Sequence, residues 1–127
     1  MVDVEAEDTP SLVGTYVYEL EDEEGMVIWT ETHFIWLLNS KTRIPFKDEE
    51  PTESEKAVAF TSLTADGGTY TFSGPSRITV HRFFSSVPNL VGTEFTFEYE
   101  FDGDLIKYWI IQSDGSRGPM GKARKIK

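Results

Sequence analysis

One strand near the C-terminal end of the chain constrains the fold more than any other feature. Its aromatic residues occupy alternate positions, namely Phe95, Phe97, Tyr99 and Phe101. The residues between them are polar, namely Thr96, Glu98 and Glu100. Because side chains alternate across a strand, this spacing predicts one aromatic face and one solvated face. The Asp-Gly-Asp sequence that follows predicts a tight turn, after which the chain returns as a second antiparallel strand.

Further short strands are predicted along most of the chain, with glycine, proline, asparagine or aspartate between many of them. They cover residues 12–20, 26–31, 32–40, 69–73, 76–84, 93–101, 105–112 and 119–126. The second and third can also form one long bent strand. This spacing is typical of a sandwich or an up-and-down barrel, and closure of a barrel removes unpaired strand edges. The predicted fold is all-β, an eight-stranded antiparallel up-and-down barrel.

One short amphipathic helix is predicted over residues 53–63. Thr52 and Glu55 form the pattern of a capping box, in which each side chain can bond a free amide of the other residue. Ala57 and Phe60 then share one face at helical spacing. The sequence Asp66-Gly67-Gly68 is predicted to end the helix.

Length and charge limit the domain organisation and the classes of partner. The 127 residues predict one domain over residues 11–127, preceded by an acidic arm over residues 1–10. The net charge of -10 repels phosphate backbones, so no nucleic-acid partner is expected. No apolar run is long enough to span a membrane, and no secretory signal pattern is present at the start, so a cytoplasmic protein without membrane contact is expected.

Two stretches are similar to lipocalin-like proteins. The stretch LVGTYVYEL resembles their Gly-x-Trp opening strand, with Tyr16 in the position of the tryptophan. The stretch that starts at Ile78 resembles the bacterial and fungal lipocalin-like domain family at six positions, namely His81, Pro88, Gly92, Thr93, Gly103 and Asp104. The resemblance implies a calycin-type barrel with a small apolar cavity. It also implies that Arg124, on the last strand, packs over Tyr16.

Metal and nucleophile chemistry find little support in the sequence. The only histidines are His33 and His81, cysteine is absent, and no paired metal-ligand spacing is present. The serines lack the G-x-S-x-G pattern of an activated nucleophile. No metal site and no cofactor are therefore predicted.

The strand over residues 76–84 must place one polar side chain inside a barrel. If Ile78, Val80 and Phe84 point inward, Arg82 joins them as a buried guanidinium. If the alternate residues point inward, His81 does instead. Either arrangement puts one polar group among aromatic rings, and both remain open at this point.

Aromatic residues supply the candidate ligand-binding positions. The candidates are Tyr16, Phe34, Trp36, Phe95, Phe97, Tyr108 and Trp109, together with Arg82. The rings can pack around a flat ligand, or they can simply fill the barrel as its core. Trp109 alternates with Lys107, and if both point outward, Trp109 marks a patch for a homodimer.

Three functions are compatible with these residues. The first is binding of a small hydrophobic or aromatic molecule inside the barrel, with His81 or Arg82 and Tyr16 orienting its polar end. The second is an enzyme, an isomerase, cyclase or lyase that acts on an apolar biosynthetic intermediate, with His81 as the acid-base group and Glu94 or Tyr99 assisting. The third is a filled barrel that interacts with a partner through its acidic surface.

Overall fold

Eight strands form a closed antiparallel barrel in a computed structural model that describes residues 11–127. Each strand pairs with the next along the chain, and the last pairs with the first, which confirms the predicted topology. The predicted acidic arm over residues 1–10 lies outside the described residues. The strands are β1 (Gly14–Glu19), β2 (Glu23–Trp29), β3 (His33–Ser40), β4 (Leu63–Gly74), β5 (Arg77–Ser85), β6 (Glu94–Asp102), β7 (Leu105–Ile111) and β8 (Arg117–Lys125).

The inner face of the barrel carries the aromatic and aliphatic side chains. On β6, Phe97 and Tyr99 are buried, and the polar residues between them lie on the outer face. On β5, Ile78 and Val80 are fully buried. The aromatic face predicted for β6 is therefore confirmed, and these residues belong to one continuous core inside the barrel.

The α-helix of the described residues, α1 (Glu53–Thr61), begins at the predicted capping box. The Glu55 backbone N–H donates to the Thr52 hydroxyl at 3.1 Å, and the Thr52 N–H donates to the Glu55 carboxylate at 2.8 Å. These bonds satisfy amides that the first helical turn leaves free. None of its residues is buried, so α1 lies on the surface of the barrel. Within residues 11–127, no helix has the length and apolar character that a membrane crossing requires.

Strand β4 begins earlier than the sequence predicts. The segment Asp66-Gly67-Gly68 was expected to end the helix, but α1 ends at Thr61 and these three residues pair with β3 inside the sheet. The absence of a side chain at Gly68 lets the β4 backbone lie close to the β5 backbone. A side chain at Gly68 would collide with the backbone carbonyl oxygen of His81 on the neighbouring strand.

A β-bulge lies where β4 passes β5. Gly67 pairs with Phe84 and Gly68 pairs with Arg82, so Phe83 is an extra residue without a partner. The bulge turns both phenylalanines outward, and Phe83 and Phe84 are 54% and 73% exposed. Of the two alternatives for this strand, the one with Ile78 and Val80 inside holds except at Phe84, which points outward because the alternation shifts by one residue at the bulge.

The two ends of the barrel differ in how they are covered. At one end Leu12, which precedes β1, is buried in the core, and the Tyr16 hydroxyl donates to its carbonyl oxygen at 2.8 Å. The opposite end carries the β1–β2 turn, the segment that contains α1, the β5–β6 connection with its 3-10 turn (Pro88–Leu90), and the β7–β8 turn. This opposite end is called the helix end below.

Candidate functional site

A small apolar cavity of about 50 Å³ lies inside the barrel. This volume is well below the ~300–1,000 Å³ that is usual for small-molecule sites, so the protein's own side chains fill most of the interior. Other lining residues, which the sequence did not single out, include Tyr18, Val27 and Ile110. Six of the predicted ligand-binding residues also line the cavity, namely Tyr16, Phe34, Trp36, Phe95, Phe97 and Tyr108.

Phe97 lies at the centre of the ring packing around this cavity. Its ring centroid is 5.7 Å from that of Trp29, 6.1 Å from that of Phe95 and 6.3 Å from that of Tyr108. These separations fall in the range of tilted and edge-to-face aromatic pairs, which add to the free energy of burial. The wall of the cavity is therefore a set of mutually supporting rings.

The lining differs in exposure between the two ends of the barrel. Tyr16 and Phe34 are buried toward the covered end. Trp36, Phe95 and Tyr108 are only partly buried, and they lie on the portions of their strands toward the helix end. Partly exposed side chains change rotamer more easily than enclosed ones, so the lining is most easily displaced at the helix end.

Arg82 points into the barrel, which answers the question that the sequence left open between Arg82 and His81. Its side chain is 14% exposed, and its carbon Cζ lies 4.5 Å from the centroid of the Phe95 ring. One guanidinium nitrogen, Nη1, donates to the Thr93 hydroxyl at 2.7 Å. The Nε atom lies 3.8 Å from a carboxylate oxygen of Asp66, which is 4% exposed. The arginine of a buried ion pair therefore lies over the ring of Phe95, which lines the cavity, although neither Arg82 nor Asp66 lines the cavity itself.

Three polar atoms of this region have no hydrogen-bond partner among residues 11–127. They are Trp36 Nε1, Asp66 Oδ1 and Arg82 Nε. Trp36 and Asp66 are direct partners across the β3–β4 pairing, so their side chains share the inner face. Each buried donor or acceptor without a partner costs about 1–3 kcal/mol, so three of them side by side mark a candidate site.

The sequence interpretation missed Asp66 because the Asp-Gly-Gly sequence has the composition of a turn. A signal was nevertheless present, since Asp66 lies an even number of positions before Tyr70, a residue of the predicted strand that begins at Thr69. Extending the alternation backwards from Tyr70 would have placed Asp66 on the inner face.

His81 and Glu94 lie together on the outer face of the barrel. They are direct partners across β5 and β6, and His81 Nδ1 is 2.6 Å from Glu94 Oε2. Their side chains are 34% and 58% exposed. Tyr99 is buried on the inner face, so the barrel wall separates it from the other two predicted catalytic residues. Their catalytic role stays a prediction, and the cavity does not bring them together.

Trp109 also lies on the outer face and does not line the cavity. The guanidinium of Arg117 covers its ring at 4.2 Å, and Arg117 Nε donates to Glu98 at 3.0 Å. Glu98 also accepts a bond from Arg77 at 2.8 Å, and the two arginines hold the pKa of its carboxylate below the ordinary value. Trp109 is therefore part of a surface network, and the homodimer stays a prediction.

Lys125, and not Arg124, takes the position over Tyr16 that the family resemblance implied for Arg124. The Lys125 Nζ atom lies 5.9 Å from the Tyr16 ring centroid, and Lys125 pairs directly with Tyr16 across β1 and β8. Arg124 bonds Asp104 at 3.0 Å on the outer face. Because neighbouring residues on a strand point to opposite faces, a one-residue difference in register exchanges these two roles.

All five tyrosines of the chain have raised pKa values. Burial is the largest cause in each case, because a buried tyrosinate loses its hydration. For Tyr16, burial and the neighbouring Tyr99 and Tyr70 raise the pKa to about 12. The tyrosine hydroxyls around the cavity are therefore neutral at physiological pH.

Comparison with known families agrees with the barrel fold. Among residues 11–18 and 20–127, no three side chains of histidine, cysteine, aspartate or glutamate are grouped closely enough to hold a metal ion. A search of curated proteins found no match. The model of the lipocalin-like domain family matches residues 4–122. The chain therefore belongs to the lipocalin-like domain family.

Proposed function

We propose that the barrel binds a small, flat, hydrophobic molecule in the ring-lined cavity near the helix end. The observation that carries this proposal is the lining itself, which is aromatic or aliphatic throughout and is partly exposed at one end. A concave apolar site bordered by a few polar groups is the usual form of a small-molecule site. Membership of the lipocalin-like domain family supports the same function.

The size of the cavity limits the ligand and its mode of entry. A space of about 50 Å³ accepts at most a small ring without rearrangement. A larger ligand enters when the partly exposed rings of Trp36, Phe95 and Tyr108 change rotamer, while the enclosed rings around Phe97 keep their positions. The ligand we propose therefore has one or two flat rings and little bulk outside their plane.

Toluene is a suitable probe because it is a single neutral ring without a hydrogen-bonding group. We expect it to bind at one site with a Kd of about 1 mM, which corresponds to about 0.6 kcal/mol for each non-hydrogen atom. Isothermal titration calorimetry should also show a negative heat-capacity change, since apolar surface is buried. The absence of saturable binding would contradict the proposal.

A matched pair of variants tests whether the cavity is the binding site. Ile110 lines the cavity, whereas Ile35 lies exposed on the outer face of β3. The change Ile110→Phe adds a ring beside the cavity and is expected to weaken toluene binding by about 10-fold or more, through lost volume. The same change at the other site, Ile35→Phe, is expected to leave the affinity unchanged. Equal effects of the two substitutions would place the bound toluene elsewhere.

The geometry favours binding over the acid-base reaction considered for the sequence. That reaction needs His81 beside a ligand held in the barrel, and His81 bonds Glu94 on the outer face instead. Tyr99 faces inward, but its raised pKa makes it a weak acid-base group at neutral pH. Ligand binding is therefore the function that we propose.

A further inference from the structure

The buried ion pair between Asp66 and Arg82 is an unusual feature for the wall of an apolar barrel. Burial of two charges costs several kcal/mol, and good hydrogen-bond geometry is needed to offset that cost. Here the closest approach, between Arg82 Nε and Asp66 Oδ2, is 3.8 Å, which is too long for a hydrogen bond. The pair leaves Asp66 Oδ1 and Arg82 Nε without partners in the described chain, so stability alone does not account for it.

Trp36 belongs to the same group of side chains. The Trp36 ring lines the cavity, and Trp36 is the direct partner of Asp66 across β3 and β4. Its Nε1–H has no acceptor among the described residues. The guanidinium of Arg82 lies over the ring of Phe95, another residue of the cavity lining. Two unpaired donors and one unpaired acceptor therefore lie on or next to Trp36 and Phe95, two partly buried residues of the cavity lining.

We propose that Asp66, Arg82 and Trp36 form a recognition site for a neutral group that carries both a hydrogen-bond donor and an acceptor, such as a carboxamide. This inference rests on the proposed function, because the ring that bears the group occupies the cavity. The acceptor of the group takes a hydrogen bond from Trp36 Nε1–H or Arg82 Nε–H. Its donor N–H bonds Asp66 Oδ1.

The charges of the pair explain why the preferred group is neutral. The negative charge of Asp66 and the positive charge of Arg82 cancel, so the site as a whole offers no net attraction to an ion. A carboxylate ligand would be repelled by Asp66, and an ammonium ligand would be repelled by Arg82. A buried site whose own donors and acceptors need partners also discriminates against a ligand that has none, because those groups then stay unpaired.

Three probes of similar size separate these interactions, namely toluene, benzamide and benzoate. We expect benzamide to bind about 10-fold more tightly than toluene, the effect of about 1.4 kcal/mol of net hydrogen bonding. We expect benzoate to bind at least about 10-fold more weakly than benzamide, since only its charge and its missing donor differ. The Kd values can be measured by NMR titration on the full-length protein.

The variant Asp66→Asn provides the sharpest test. It keeps the shape of the side chain but leaves the Arg82 charge without its counter-charge. The affinity for benzamide should therefore fall by about 10-fold, and the affinity for benzoate should rise by about 10-fold. The matched control is Asp104→Asn, which removes the aspartate of an exposed ion pair with Arg124. The control is expected to leave all three affinities unchanged.

A second variant keeps the test decisive if Asp66→Asn does not fold. Trp36→Phe removes one donor and keeps an aromatic ring, so the ratio of benzamide affinity to toluene affinity should fall by about 3- to 10-fold. Equal affinities of toluene and benzamide for the unmodified protein would overturn the recognition site and leave the proposed function standing. Failure of all three probes to bind would instead overturn the proposed function.

Discussion

Raising the pH from about 9 to about 12 is expected to unfold the barrel, because every tyrosine of the folded chain holds its proton more tightly than an exposed tyrosine does. The folded-state pKa values exceed the ordinary value of 10, so the stabilisation is complete below about pH 10 and is lost as the pH rises through the folded pKa values. For Tyr16, a pKa of about 12 corresponds to about 2 kcal/mol lost by pH 12. The remaining four tyrosines add to this loss.

The measurement combines tyrosinate absorbance with circular dichroism during an alkaline titration. Both signals are expected to change together, well above pH 10, since the tyrosines ionise as the barrel opens. Tyr16→Phe is the informative variant. It removes one titrating group, so stability should fall less steeply with pH, although the lost bond to the Leu12 carbonyl costs about 1 kcal/mol at neutral pH. Ionisation of most tyrosines near pH 10 without a change in circular dichroism would contradict the burial of these side chains.

Removing one partner of the buried ion pair is expected to be far more destabilising than removing both. Arg82→Met leaves the Asp66 carboxylate buried without a counter-charge, which should cost about 3–5 kcal/mol in the free energy of unfolding. The double variant Asp66→Val, Arg82→Met replaces the pair with apolar side chains of similar volume. It should match the unmodified protein or exceed it by about 1–4 kcal/mol. Urea unfolding at neutral pH measures both changes.

An exposed ion pair provides the control for this comparison. Arg124→Met breaks a pair in which both side chains are more than half exposed, and it should change stability by less than about 1 kcal/mol. If the double variant is stable and still discriminates benzamide from toluene, the pair has no part in ligand recognition. If the double variant is as unstable as Arg82→Met alone, the pair stabilises the fold, and ligand recognition is not needed to explain its presence.

The barrel was predictable because its strongest signals are local. The alternation of rings from Phe95 to Phe101 fixes one strand face, the Asp-Gly-Asp turn fixes a hairpin, and the capping box fixes the start of the helix. Each of these signals needs only neighbouring residues to be recognised. Six of the seven aromatic side chains predicted to bind a ligand line the cavity, and their ligand-binding role stays a prediction.

The features that the sequence did not reveal depend on contacts between distant residues. The strand role of Asp66, Gly67 and Gly68 is set by pairing with β3 and by the close approach of the β5 backbone, which override a turn-like composition. The outward position of Phe84 depends on a bulge that only the pairing of β4 with β5 defines. The face of Trp109 stayed open in the sequence, and in the structure its neighbour Tyr108 takes the inner position while Trp109 lies outside.

For the candidate site, the sequence therefore predicted only one of the two charged residues of the buried ion pair. Arg82 was considered as an inward residue, but its partner Asp66 was assigned to a turn, so the ion pair could not be foreseen. His81 is a titratable residue within a predicted strand, but its place on β5 puts it beside Glu94 on the outer face. A buried pair formed across two strands becomes visible only when the register between those strands is known.

The most direct test of the account is a measurement of nuclear Overhauser effects between bound toluene and the labelled protein. Ligand protons within the barrel should give contacts to Trp36, Phe95, Tyr108 and Ile110, which line the cavity at the helix end. Contacts confined to outward residues such as Ile35 and Phe84, both exposed, would contradict a binding site inside the barrel.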